Sequence, residues 1–216
     1  MSRRKPLFVP CYFGPIDQFA YIVQHDSILF ESSEHYQKQS FRNRQEISSA
    51  NGKLKLSIPI KHIPGKKNTH QVLKDVRIEN DFKWQKEHFR SMQIAYQTAP
   101  FFEFFEDDLR PLYQTNYTYL MDFNLACFDT LCHILDLPIA YETTQSYSLQ
   151  KDDHIDQRNL AEAKRAPSLA MEEYDQVFME RHGFMSNLSI LDLVFNLGNA
   201  STAYLKALTK GKDLRL

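Results

Sequence analysis

From the amino terminus onward, short apolar runs alternate with stretches of amphipathic spacing. Leu7–Val9 is an apolar run stopped by Pro10, as expected of a first strand. After the loop Cys11–Gly14, Pro15 suits the first position of a helix. Ile16, Phe19, Ala20 and Val23 then recur at helical spacing, so Ile16–Gln24 reads as an amphipathic helix. Ser27–Phe30 carries continuous apolar residues, the mark of a strand buried on both faces. Strand, helix and strand in so short a span make a parallel, right-handed βαβ unit.

Asn51–Gly52, between Ile47 and the alternating Leu54–Ile60, is a strong hairpin signal. Pro59 cannot donate to a ladder and confines that strand to an edge. Lys61–Thr69 reads as a mobile Gly/Pro/Lys loop, and Val76–Ile78 as a short strand. Asn80 or Asp81 should cap a helix running to about Gln97, and an aromatic-rich helix follows at Phe101–Tyr113. A long, mostly buried helix through Leu120–Leu135 leads past Pro138 into a strand at Ile139–Glu142. Ser148–Ala166 is polar, carries both charge signs and has little apolar periodicity, so it reads as a linker or flexible loop. Beyond it lie a short amphipathic piece, Tyr174–Gly183, and a final helix, Thr202–Thr209. Between these, a helix opens at Asn187 or Ser189, with Asp192 placed as a capping-box partner, and ends at Gly198.

These elements predict an α/β fold: a mixed sheet with a parallel βαβ start, a β-hairpin insertion and a helical C-terminal part. The expected organisation is a single domain over residues 1–216. Its α/β core would occupy 1–149, a polar linker or loop 150–170, and C-terminal helices packed on the core 171–216.

Composition sets outer bounds. The chain has 216 residues, 43% apolar and 25% charged, enough to bury a core. Its net charge of −1 supplies no global field for nucleic acid, and only Ser2–Lys5 and Lys61–Lys67 are locally basic. No apolar run approaches the roughly 18 residues of a membrane span. Cys11, Cys127 and Cys132 form no CxxC pair, which argues against a disulfide framework. The residues after Arg3–Lys5 are too short and proline-rich for a signal-peptide core, so a cytoplasmic location is expected.

The densest polar chemistry lies in Glu31–Lys61. Tyr36, Lys38, Gln39, Arg42, Asn43 and Arg44 crowd together there, and two arginines two apart share a face if extended. Each guanidinium is a fork of donors suited to phosphate or carboxylate. Ligands of open α/β sheets collect outside the carboxyl ends of the strands, here Pro10–Gly14 and Glu31–Tyr36, which adds Tyr12 to the rim. Glu31 is placed either as a general base or, the favoured reading, as a residue that holds Arg42. His88, one turn after Trp84, suits a proton shuttle, although a packed histidine is commoner. The candidate set is therefore Glu31 and His88 as catalytic residues. Tyr12, Tyr36, Lys38, Gln39, Arg42, Asn43, Arg44, Trp84 and Asn187 are the substrate-binding candidates. P-loop, dinucleotide-fingerprint, serine-elbow and HExxH motifs are absent, the eight histidines show no metal-ligand spacing, and no cofactor is indicated.

Four segments carry a family resemblance: LFVPCYFGPIDQFAYI, KQSFRNRQEI with the following NG hairpin and IPI, WQKEHFRSMQIAYQTAPFFEFF, and SNLSILDLVFNLG. In matching order over Leu7–Leu149, and again at about Tyr174–Leu197, the chain resembles the WbqC-like family. The resemblance implies an α/β fold and an intracellular bacterial protein. It also implies a place in surface-polysaccharide (O-antigen-like) assembly, where transfer of an amino acid such as glycine to a sugar has been proposed for members. Two functions are expected on this footing. One is a transferase acting on an anionic, nucleotide-linked substrate. The other is a non-catalytic scaffold or homodimer using the aromatic surface around Trp84, Phe101–Phe105 and the C-terminal helices.

Overall fold

The computed structural model describes residues 4–62, 71–147 and 154–211. Strand β1 (Lys5–Phe8), helix α1 (Ile16–Ile22) and strand β2 (Ser27–Phe30) form the expected parallel βαβ unit, with Leu7 opposite Leu29 and Phe8 opposite Phe30. Phe8, Ile28 and Phe30 are fully or almost fully buried, which is why these strands read as continuous apolar runs. Strand β5 (Ala140–Thr143) pairs in parallel with the outer edge of β2, and β6 (His154–Asp156) with the outer edge of β1. The sheet order is thus β5-β2-β1-β6, parallel throughout.

The hairpin is β3 (Arg44–Ser49) with β4 (Gly52–Ser57), and it forms a separate two-stranded antiparallel sheet. Its turn needs Gly52, whose φ of 95° lies where a side chain is strained. Ile47 and Leu56 turn into the core, and β4 ends two residues before Pro59. Val76–Ile78 forms only isolated bridges, Ile60 to Ile78 and Arg77 to Tyr119, in place of the expected strand.

Helices α2 (Trp84–Tyr96), α3 (Phe102–Gln114) and α4 (Leu120–Ile134) follow as the periodicity predicted. The start of α2 differs. Lys83 occupies the cap position, and Asn80 instead accepts a hydrogen bond from Trp84 Nε1 at 3.3 Å. Rings from four elements meet around Phe30: Phe128 lies 5.0 Å and Tyr141 5.4 Å away, and Phe19 stacks on Phe128.

The chain ends in α5 (Met179–His182), α6 (Ile190–Leu197) and α7 (Ala200–Leu208). Backbone hydrogen bonds stitch this part to the first loop: Ile16 N to Leu188 O and Ile190 N to Gly14 O. Ser189 caps α6 by accepting from Leu191 N, as its position predicted. Asp192 does not complete a capping box. It is buried and accepts from Tyr96 Oη (2.7 Å), Tyr174 Oη (2.6 Å) and Gln176 Nε2 (2.9 Å), because three side-chain donors outcompete the helix start.

The polar stretch Ser148–Ala166 departs most from its expected linker role. Its described residues supply β6 and a 3₁₀ turn at Arg158–Ala161, and Leu160 and Ala161 are core residues. A sheet-edge strand of three residues carries too little apolar periodicity to be seen in sequence. The remainder of that stretch, and most of the loop expected over Lys61–Thr69, lie outside the described residues. Among the described residues, no helix is long and apolar enough to cross a membrane.

A polar cleft at the carboxyl edge of the sheet

Glu31 directly follows β2, and its backbone N–H extends the ladder to Phe8 O at 2.8 Å. Its carboxylate is 1% exposed and fully engaged. Oε1 accepts from Ser33 N (2.9 Å) and Thr144 Oγ1 (2.7 Å), and Oε2 from Arg158 Nη1 (3.1 Å). Arg158 also grips Asp156 through Nε and Nη2, at 2.9 and 2.8 Å, and lies over the Tyr147 ring at 5.1 Å. Residues at the carboxyl ends of β2, β5 and β6 are thereby locked together.

Glu34 lies on the next turn of chain. Its Oε1 accepts from Arg42 Nε at 2.6 Å, and both side chains are buried. Burial pushes the Glu34 carboxyl up, against the lowering pull of Arg42. Arg42 Nη1 has no hydrogen-bond partner among the described residues, and the Arg42 carbonyl accepts from Asn124 Nδ2. Burial likewise raises the Tyr36 phenol, although the cationic Arg42 and Arg44 oppose it. In front of these groups is a cleft of about 370 Å³, lined by Glu34, His35, Tyr36, Gln37, Lys38 and Tyr147. It opens between the chain leaving β2 and the chain leaving β5, the place where open α/β sheets collect ligands. The Lys38 side chain is exposed at its rim and makes no ion pair among the described residues.

The candidate residues fall into four places. Tyr36 and Lys38 line the cleft, with Arg42 and Glu31 buried behind it. Arg44 is half-buried at the start of β3, and Gln39 is exposed with a φ of 57°. Asn43 closes the entry to the hairpin, donating through Nδ2 to Ile58 O at 2.9 Å.

Tyr12, His88 and Trp84 belong to a separate buried cluster. Tyr12 Oη shares hydrogen bonds with His88 Nδ1 (3.0 Å) and Tyr113 Oη (2.9 Å), and Trp84 meets His88 edge-on at 5.3 Å. Burial lowers His88 to about 4, so the ring is neutral near pH 7. His88 and Glu31 are not brought together. Asn187 is elsewhere again: its Oδ1 accepts from Asp17 N at 3.0 Å, supplying α1 with the cap that Pro15 lacks. The Asp17 carboxylate, fully buried, is held by Arg165 Nη2 and by Ser168.

Sequence reasoning missed Glu34, Tyr147, Thr144, Asp156 and Arg158. Glu34 had a signal, standing three residues after Glu31 in the stretch already singled out. Arg158 had none, because its partner is 127 residues away. Among the described residues, no group of three His, Cys, Asp or Glu side chains is arranged to hold a metal ion. The Cys11 thiol, buried and pushed up to about 12, is no ready nucleophile.

Fold and geometry together define an α/β protein with a tyrosine- and lysine-lined cleft at the carboxyl edge of a parallel sheet. The chain belongs to the WbqC-like protein family, whose model matches residues 9–169. It is similar to the Uncharacterized protein Rv1507c of Mycobacterium tuberculosis (strain ATCC 25618 / H37Rv), at 25% identity over 219 residues, covering 89% of this chain and 92% of that protein. No solved structure matches.

Proposed function

We propose that the protein is a transferase of bacterial surface-polysaccharide (O-antigen-like) biosynthesis, passing an amino-acid or acyl group from an anionic, nucleotide-linked substrate to a sugar. The observation that carries this reading is the cleft of about 370 Å³ with Lys38 at its mouth and Tyr36 and Glu34 in its wall. In it, Lys38 holds phosphate or carboxylate and Tyr36 orients the acceptor. Behind it, Arg42 lends positive charge through Nη1, unpaired among the described residues, without leaving the core. The proton role passes from Glu31 to Glu34. The Glu31 oxygens are occupied by three donors, whereas Oε2 of Glu34 has none among the described residues. Glu31 then acts as a positioning residue, holding Arg158 and through it Tyr147.

The test is a thermal-shift screen with nucleotide-sugars, nucleotides, amino acids and phosphate. A ligand that binds the folded state raises its stability by mass action. The informative variants are Lys38→Ala and Glu34→Gln, since replacing the buried Arg42 would strand Glu34. A shift lost in Lys38→Ala supports the reading, and no shift from any ligand class overturns it.

A non-catalytic partner-binding role is the second reading, favoured by Ile94 of α2 and Phe104 of α3, which are 62% and 74% exposed. Trp84 and Phe102 are buried and take no part in that surface. Light scattering across a concentration series tests it, and a strict monomer with no captured partner counts against it.

A further inference from the structure

A second cleft, sharing no residue with the first, lies between α2 and α3 and measures about 360 Å³. Lys86, Phe89, Arg90 and Gln93 stand three, four and seven apart on α2, so one helical face supplies its near wall. Arg110 and Tyr113 of α3 supply the far wall. The volume lies within the usual range of small-molecule sites, about 300–1,000 Å³.

Two features set the ligand chemistry. The first is a wall built of a guanidinium over an aromatic ring. Arg110 lies over the Phe89 ring at 5.1 Å, and Phe89 meets Tyr113 at 5.4 Å. Glu106 fixes this plate by accepting from Arg110 Nη2 and from Gln93 Nε2, both at 2.7 Å. A guanidinium held in one plane is preorganised to stack on a planar ring.

The second feature is unbalanced charge. Glu106 compensates Arg110, but among the described residues Lys86 and Arg90 make no ion pair, and no carboxylate lines the cleft. Both side chains are exposed at its mouth and free to meet an anion. Gln93 adds an amide able to donate and accept.

We infer that this cleft binds a planar, anionic ligand of nucleoside-monophosphate size, its ring against the Phe89–Arg110 plate and its phosphate between Lys86 and Arg90. The site is independent of the sheet-edge cleft.

Calorimetric titration with AMP and UMP tests it, with adenosine and inorganic phosphate as controls. The expected result is saturable binding of a nucleotide, weakened about tenfold or more in Lys86→Ala/Arg90→Ala, which removes two charge-assisted contacts. Phe89→Leu should weaken the nucleotide while leaving any phosphate binding unchanged. Both positions on α2 that lose charge are exposed, and an unchanged melting temperature confirms that the variant is folded. Three results would overturn the inference. They are no saturable binding of either nucleotide, phosphate binding as tightly as the nucleotides, or binding unchanged in the α2 variant and lost in Lys38→Ala. The last would place the nucleotide in the sheet-edge cleft, so the two readings fail separately.

Discussion

Arg158 donates to the carboxylate of Glu31 at 3.1 Å across 127 residues of chain, joining the ends of strands β2 and β6. The two side chains are 12% and 1% exposed, so the pair is shielded from solvent rather than a surface ornament.

Removing the arginine leaves a buried carboxylate held, among the described residues, only by Ser33 and Thr144. Arg158→Ala should therefore cost about 3 kcal/mol of stability. Urea denaturation reads this as a lower midpoint with an unchanged slope. Arg158→Lys should recover only part, because a single ammonium cannot grip Asp156 twice and reach Glu31 as well. A loss below about 1 kcal/mol would mean that the neutral donors suffice for Glu31.

His88 makes stability depend on pH. Its folded value of about 4 lies below the ordinary 6.5, so the unfolded chain takes up the proton first as pH falls. This contribution is fully present above pH 6.5, declines as pH drops towards 4, and amounts to roughly 3 kcal/mol at most. Glu34 and Asp192 tilt the other way. Burial raises both carboxyls, so their neutral forms favour the fold and their contribution fades as pH rises through the folded values. The His88 share is the difference between wild type and His88→Gln in stability measured from pH 4 to 7. Parallel curves for the two proteins would show that His88 does not titrate on unfolding.

Asp192 ties α6 to α2 through Tyr96 and to the preceding segment through Tyr174 and Gln176. Asp192→Asn turns one acceptor into a donor that faces other donors, at a cost of about 2 kcal/mol. Hydrogen exchange should show faster opening of α6 amides while the β1–β2 ladder keeps its protection. Equal loss of protection in both would mean that the fold opens as one unit.

Local patterning foretold most of the elements. The runs at β1 and β2, the helical spacing of α1 to α4, the Asn51–Gly52 turn and the Ser189 cap each depend on residues a few positions apart, and a sequence displays those directly. The position of a cleft beyond the end of β2 was legible too, since it follows from parallel strands.

Long-range pairing decided the rest. Arg42 was expected as an anion ligand held by Glu31, yet Glu34 draws it into the core, and Arg158 and Arg165 of the polar stretch bind Glu31 and Asp17. Tyr12, expected at the rim, instead meets the distant His88 inside the molecule. A charged or polar side chain is buried only where a partner waits, and which partner waits depends on how the chain crosses itself. Composition and periodicity carry no record of that crossing, so tertiary structure alone assigned each polar residue to core, cleft or solvent.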